Sequence, residues 1–403
     1  MKPSQEGSRS RAAERAALHF VLLFGVVSLF ADLTYEGARS ITGPYLASLG
    51  ASATVVGVVA GLGELVGYSL RLVSGRLSDR TGRYWPITLL GYAVQMASVP
   101  LLGLAGRWET AGLLIIGERT GKAIRNPPRD VMLAQATTHM GRGWGFGVHE
   151  ALDQLGALAG PLLVAAVLRG GARYETAFLL LLAPALLTLG LLGVTRVLYP
   201  HPETLEASPP PIEAAGFSKR FWLYLAGAAL VAAGFADFSL LGYHFEITGT
   251  VPDSGIPLLY ALAMAAGALG SLAFGRMLDR HGLGVLIPLT AAALLFAPLV
   301  FLGGAVAAGA GTILWGLGMG VHESLMPAAV ATMVLPQRRG SAYGLFNAVY
   351  GVAWFVGSAL MGVLYDRSVV GLVIFSVALE CTALVFFVLV ERESRLSDRP
   401  HPL

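Results

Sequence analysis

The chain has 403 residues, of which 55% are hydrophobic and only 13% charged, with 51 glycines and a formal net charge of +3. Soluble domains carry about 25% charged residues, so this composition, with a mean hydropathy of +0.66, belongs to a membrane-embedded protein. The basic pI of about 9.0 has no basic domain behind it, so no nucleic-acid partner is expected, and the single Cys381 excludes an intrachain disulfide.

Apolar runs long enough to cross ~30 Å of hydrocarbon recur along the whole length. Twelve spans are predicted, at 17–45, 51–74, 84–104, 110–136, 144–168, 174–197, 221–248, 255–275, 283–303, 306–334, 342–364 and 369–390. The first run is too long for a signal-peptide core and lacks a small-residue cleavage site, so it is expected to stay as span 1. It carries Asp32, Glu36 and Arg39 at spacings i, i+4 and i+7, with Tyr35 beside them. Span 2 places Glu64, Tyr68 and Arg71 on one face and runs into the loop Gly75, Asp79, Arg80, Gly82 and Arg83. The two glycines permit a tight turn there, and the charges can clamp neighbouring helix ends.

Span 4 holds the densest charge. In the stretch 117–130, GERTGKAIRNPPRD, the residues Glu118, Lys122, Arg125 and Arg129 share a helical stripe, flanked by Arg119 and Asp130. Each ion at bilayer depth costs at least ~2.5 to 3.5 kcal/mol on insertion scales, so the cluster must face water, a ligand or partner charges. Lys122 and Arg125, with no evident acid on their own helix, read as substrate contacts; Arg129 and Asp130 read as gate residues near Arg80 and Arg83. Pro127 and Pro128 interrupt the hydrogen-bond ladder just beyond Arg125. Acids Asp32, Glu36, Glu64, Glu118, Asp130, Glu150 and Asp153 nearly balance the cations of these spans, so internal salt bridges are the alternative reading throughout.

Span 5 sets His149 and Asp153 one turn apart, and its Gly156 and Gly160, followed by Pro161, leave room for another helix to approach closely. Residues 198–218, rich in Pro and Glu, read as a linker between bundles at 17–197 and 219–391, with a terminal segment 1–16 and a tail 392–403. In the second half, span 7 carries Asp237 and His244, span 10 carries His322 and Glu323, and span 11 carries the stripe Tyr343, Asn347, Tyr350 and Trp354. Glu380 in span 12 fits none of these groups except as a neutral or partnered acid. With both termini inside, 18 of the 28 Lys and Arg residues fall on the cytoplasmic side and 4 outside, the other 6 lying within spans. The positive-inside rule thus predicts cytoplasmic termini in a multi-pass inner-membrane protein.

The halves repeat each other. The loop 75–82, GRLSDRTG, recurs as GRMLDRHG at 275–282, with Gly275, Asp279 and Arg280 in matching places. Phe30-Ala31-Asp32 recurs as Phe235-Ala236-Asp237, and Gly121, Gly147 and Gly160 are matched by Gly318, Gly344 and Gly357 at a spacing of 197. An internal duplication follows.

GRLSDRTGR resembles the signature loop of the major facilitator superfamily, G-x-L-x-D-R-x-G-R, although the second copy ends in Leu283 where that pattern has a basic residue. Gly147, Gly156 and Gly160-Pro161 are similar to the span 5 motif of its proton-coupled antiporters, with Val164-Ala165 standing where the motif has a trailing glycine pair. The resemblance implies an all-α integral membrane fold of two six-helix bundles, and alternating access to a mid-membrane site lined by spans 1, 4, 7 and 10.

Three classes stand against a transporter: a pump, a metalloprotease, and a receptor or scaffold built on a transporter fold, which absence of flux for any solute would favour. An ATP-driven pump is disfavoured, because 117–123, GERTGKA, is one residue short of a P-loop and lacks its Ser or Thr. A membrane metalloprotease is a remote alternative, since His149-Glu150-Ala151-Leu152-Asp153 has the shape of H-E-x-x-H with Asp in place of the second His. The expected function is a secondary active transporter, not an enzyme, exporting an anionic or amphipathic organic solute against protons; uptake or facilitated passage of an organic anion is the alternative. No cofactor and no metal are expected, the partners being the solute, protons and the bilayer, and the working unit a monomer. Asp32, Glu36, Asp237 and Glu323 are the candidate proton carriers, because a carboxylate that alternates protonation is the simplest coupling device. Lys122, Arg125, Tyr35, His149, Asp153, His322, Asn347, Tyr350 and Trp354 are the candidate solute contacts.

Overall fold

The computed structural model describes residues 3–136, 142–200, 216–335 and 338–397, and all regular structure among them is helical. In the first half, α1 (Pro3–Ser48), α2 (Ala53–Thr81), α3 (Tyr84–Leu101), α4 (Trp108–Ala136) and α5 (Arg142–Arg169) are followed by α6 (Tyr174–Leu180) and α7 (Leu182–Leu198), which share one pass. The second half comprises α8 (Lys219–Gly234), α9 (Phe238–Thr248), α10 (Gly255–His281), α11 (Leu286–Ala293), α12 (Phe296–Leu302), α13 (Ala305–Gly320), α14 (Met326–Met333), α15 (Arg339–Arg367) and α16 (Val369–Ser397). Here α8 with α9, α11 with α12, and α13 with α14 each make a single pass. Ten described segments are long and apolar enough to cross a bilayer. One of them, Gly255–Leu302, has 48 residues and holds two passes, about 72 Å at 1.5 Å per residue. The helix α4 is barred from that group by its charges. Twelve passes result, six per half. Most of the linker, 201–215, and the end of the tail, 398–403, lie outside the described residues.

Both copies of the repeated loop place a glycine at positive φ. Gly82 after α2 has φ +63° and Gly282 after α10 has φ +66°, the left-handed region in which a Cβ is penalised. The repeated tripeptide behaves differently in its two places. The helix α1 runs straight through Phe30-Ala31-Asp32, whereas α8 stops at Gly234 and Phe235 is extended at ψ 114°. Asp237 then caps α9, its carboxylate accepting the Ser239 N–H at 2.9 Å. Glycine before the tripeptide weakens the helix, and Asp is a favoured N-cap; Leu29 stands in the glycine's place in the first copy. The broken span keeps its carbonyls satisfied, because Ser376 Oγ donates to Gly234 O at 2.6 Å and Trp315 Nε1 to Ala236 O at 2.8 Å.

The described residues form two compact units, one within Met1–Ala38 and Leu70–Pro209, the other within Arg39–Ser69 and Pro210–Leu403. The first is built on a core that includes Phe20, Phe24, Trp85, Met96 and Met132. In it α5 lies against α1 at Gly156 and Gly160, where a Cβ would collide with the backbone of Leu29 and Leu33. In the second unit Gly357, the repeat partner of Gly160, sits in the same way against the backbone of Ala233 on α8. The ends of α1 and α2 belong to this second unit: Gly43 packs on the Ser239 carbonyl and Gly57 on that of Ser358. Asp366 at the end of α15 caps α2, accepting the Ala53 N–H at 3.0 Å, the Thr54 N–H at 2.9 Å and the Thr54 hydroxyl at 2.6 Å.

Candidate functional site

The site in the first unit starts from a glycine crossing. Gly91 of α3 and Gly121 of α4 lie backbone to backbone, leaving no space for a Cβ on either. That approach sets Tyr92 and Gln95 beside Arg125, which is fully buried. Arg125 Nε donates to Gln95 Oε1 at 2.5 Å, Nη1 to the Tyr92 hydroxyl at 2.8 Å, and Nη2 to Asp32 Oδ1 at 3.4 Å. Gln95 passes the chain on, its Nε2 donating to Glu118 Oε1 at 2.8 Å. Glu118 Oε2 lies 3.6 Å from Arg119 Nε, and Arg119 donates to the Tyr35 hydroxyl. Arg125 therefore acts as a strut between three helices.

Lys122 is placed otherwise. Its ammonium stands 3.7 Å above the Tyr35 ring, a cation–π contact, and no acid lies within ion-pair distance of it among the described residues. Asp32 and Glu36 act on it only at longer electrostatic range. Helix α4 continues through Pro127 and Pro128. Pro127 has no N–H to give to the Ala123 carbonyl four residues back, and Ser74 Oγ of α2 donates there instead, at 2.9 Å.

Towards the other end of α4 a cavity of about 440 Å³ is lined by Arg129, Asp130, His149 and Asp153, among others. Arg129 Nη2 pairs with Asp130 at 2.8 Å. His149 lies 3.0 Å from Ser28 Oγ and 3.8 Å from Asp153 Oδ2, while the buried Asp153 Oδ1 has no hydrogen-bond partner. Among the described residues no three His, Cys, Asp or Glu side chains converge as metal ligands would. Asp79 and Arg80 in the last turn of α2, Arg83 just beyond it, and Asp279 and Arg280 in the last turn of α10 are all exposed, and Glu36 is buried.

In the second unit Asp237 is buried and meets Arg39 Nη2 at 3.3 Å, and the same guanidinium lies 3.7 Å from Glu64. His322 sits in the wide π turn Val321–Leu325 between α13 and α14. Its ring centroid is 6.2 Å from that of Tyr350 and 5.8 Å from that of Trp354. The buried His322 Nδ1, Tyr350 hydroxyl and Trp354 Nε1 have no hydrogen-bond partner. Asn347 is half-buried and Glu323 exposed. Tyr92, Gln95, Ser28, Ser74 and Asp366 join the candidate sites without having been singled out in the sequence. For Gln95 the signal was present, as a lone amide in a span without charge.

The Major Facilitator Superfamily profile matches residues 23–358, with a second match over 243–402. An uncharacterised protein of Mycobacterium tuberculosis is 45% identical over 377 residues, 92% of each chain. The multidrug resistance protein MdtH of Cronobacter sakazakii is 27% identical over 119 residues, 30% of this chain and 29% of that one. Among solved structures, a bacterial homolog of the human lysosomal transporter Spinster, inward-facing and unoccupied, superposes with a TM-score of 0.73 at 15% identity, covering 96% of this chain and 99% of its own.

Proposed function

Since the chain belongs to the major facilitator superfamily and is a transporter working by alternating access, we propose that it exports an anionic or amphipathic organic solute in exchange for protons. It does so as a monomer in the inner membrane, with both termini cytoplasmic. The observation that carries this reading is Lys122, a cation on an aromatic ring with no acid paired to it. A solute carboxylate or phosphate supplies the missing charge at that position, and the Tyr35 ring offers a wall to its apolar part. Asp32 is the coupling acid. Its side chain keeps 14% of its surface accessible while it holds Arg125, so it can take up a proton and release part of that hold. Glu36, one turn away, is the second candidate. Export is favoured by the limited similarity to MdtH and by the tight α1–α5 glycine contact.

Proteoliposomes holding the full chain and an imposed pH gradient test the reading, with a carboxyfluorescein-type dye and a series of carboxylated and phosphorylated amphiphiles as probes. Gradient-driven flux is expected for the native chain, and a fall of at least about tenfold in Lys122→Gln, the loss of one desolvated charge pair. The double variant Asp32→Asn with Glu36→Gln is expected to let the probe pass without following the gradient. Flux indifferent to Lys122→Gln, or gradient dependence that survives the double variant, defeats the assignment.

A further inference from the structure

Glu380 lies in mid-course of α16, is 0% exposed, and neither of its carboxylate oxygens has a hydrogen-bond partner in the protein. An ionised carboxylate in such a place would have neither water nor a partner to solvate it, so the group keeps its proton instead. Among the described residues, the elements packed on α16 bring no countercharge beside it. Of the elements packed on α16, α11 and α12 contain no titratable residue, and α8 contributes Lys219, Arg220 and Tyr224. These precede Gly234, the α8 residue beside Glu380, by 15, 14 and 10 residues, or about 15 to 22 Å along the helix. From α15 come Arg339, Tyr343, Tyr350, Tyr365, Asp366 and Arg367, and of these Tyr350, its own hydroxyl unpartnered, lies within electrostatic range. On α16 itself the neighbouring Cys381 is exposed, and Glu391, Arg392, Glu393 and Arg395 are three or more turns further on.

The acid also stands at a particular joint. A Cβ on Gly234 would come within 3.5 Å of Glu380 Cγ, and Gly234 is where α8 ends and span 7 is broken. The last carbonyls of a helix have no intrahelical donor, and a neutral acid beside them can donate a hydrogen bond where a carboxylate can only repel. Ser376, one turn before Glu380, already donates to Gly234 O. One face of α16 thus sets two groups at the break, a hydroxyl that donates to it and a buried acid whose oxygens are without a partner there.

We propose that Glu380 is a proton-binding site of the second half, filled while the break in span 7 is closed and emptied only when that break opens to water. Loss of the proton leaves a charge that must be hydrated, so it holds the joint open; return of the proton lets it close. The use of this proton in transport rests on the coupling reading given above, whereas its presence on Glu380 does not.

The test uses the full chain in lipid vesicles. Infrared difference spectra between neutral and strongly alkaline buffer are expected to show the carbonyl band of a protonated carboxylic acid at neutral pH. That band should be absent from both Glu380→Gln and Glu380→Met, and retained in Asp32→Asn. A native spectrum without the band, or a band that survives both Glu380 variants, overturns the proposal. Hydrogen exchange of the peptide spanning Gly234 to Ser239 reads the joint itself. In alkaline buffer the native chain should open it at least about tenfold more often than Glu380→Gln or Glu380→Met at the same pH, and equal exchange would remove the link to the break. Failure to carry any solute would leave band and exchange unchanged and count against the transport reading alone.

Discussion

Lys122 and Arg125 stand three residues apart on one stripe of α4, yet they do different work. Arg125 gives its donors to Gln95, Tyr92 and Asp32, and Lys122 stands over a ring with no acid at ion-pair distance among the described residues. Removing one member of a buried charge pair costs about 3 to 5 kcal/mol, because the partner is left uncompensated. Arg125→Met is therefore expected to lower the melting temperature of the purified protein clearly, while Lys122→Gln should leave it nearly unchanged and abolish binding of anionic amphiphiles; thermal denaturation with and without the dye separates the two. The sequence placed both cations among the solute contacts because a helical wheel reports only the acids of its own helix. Asp32 of α1 and Gln95 of α3 enter through the Gly91–Gly121 crossing, a contact that no periodicity in α4 announces.

At the scale of elements, the Pro127–Ser74 arrangement shows how a helix continues past two prolines. The serine of α2 replaces the donor that proline lacks, so Ser74→Ala should orphan the Ala123 carbonyl at a cost of about 1 to 3 kcal/mol. Pro127→Ala returns an N–H to that carbonyl, so the double variant is expected to be less destabilised than the serine change alone, as a thermal-denaturation cycle would show. The spans themselves were legible, since hydrophobic runs and polar loops locate passes to within a few residues. Whether a pass would be continuous was not. Phe30-Ala31-Asp32 and Phe235-Ala236-Asp237 read alike, and Leu29 against Gly234 is what distinguishes an unbroken helix from a broken one. The wide turn that holds His322 left no mark in the pattern either.

For the whole molecule, duplication and net hydropathy carried the architecture, because both sum over many residues and tolerate local error. The grouping of residues into units was beyond the sequence. The ends of α1 and α2, Arg39–Ser69, belong with the second half, held there by the Asp366 cap and the Arg39–Asp237 pair. Three hydrogen bonds to one carboxylate, two from a helix N-terminus, amount to about 3 kcal/mol or more, enough to shift a two-state equilibrium roughly a hundredfold. In a chain with Cys381 replaced by serine, Asp366→Ala should make a cysteine introduced at Thr54 react faster with a membrane-impermeant maleimide. A rate equal to that of the chain with Asp366 intact would show that the cap does not hold the end of α2.

Cys381 follows the buried acid by one residue and is itself exposed. It is the sole thiol of the chain and it is accessible on the outer side of α16, next to Glu380. A fluorinated tag attached there would occupy the same helical turn without touching the buried carboxyl, and its resonance would register rotation or tilt of that turn. The native protein thus comes with one chemically unique attachment point for magnetic resonance, and populations of the closed and open joint can be counted in a chain that has not been altered at all.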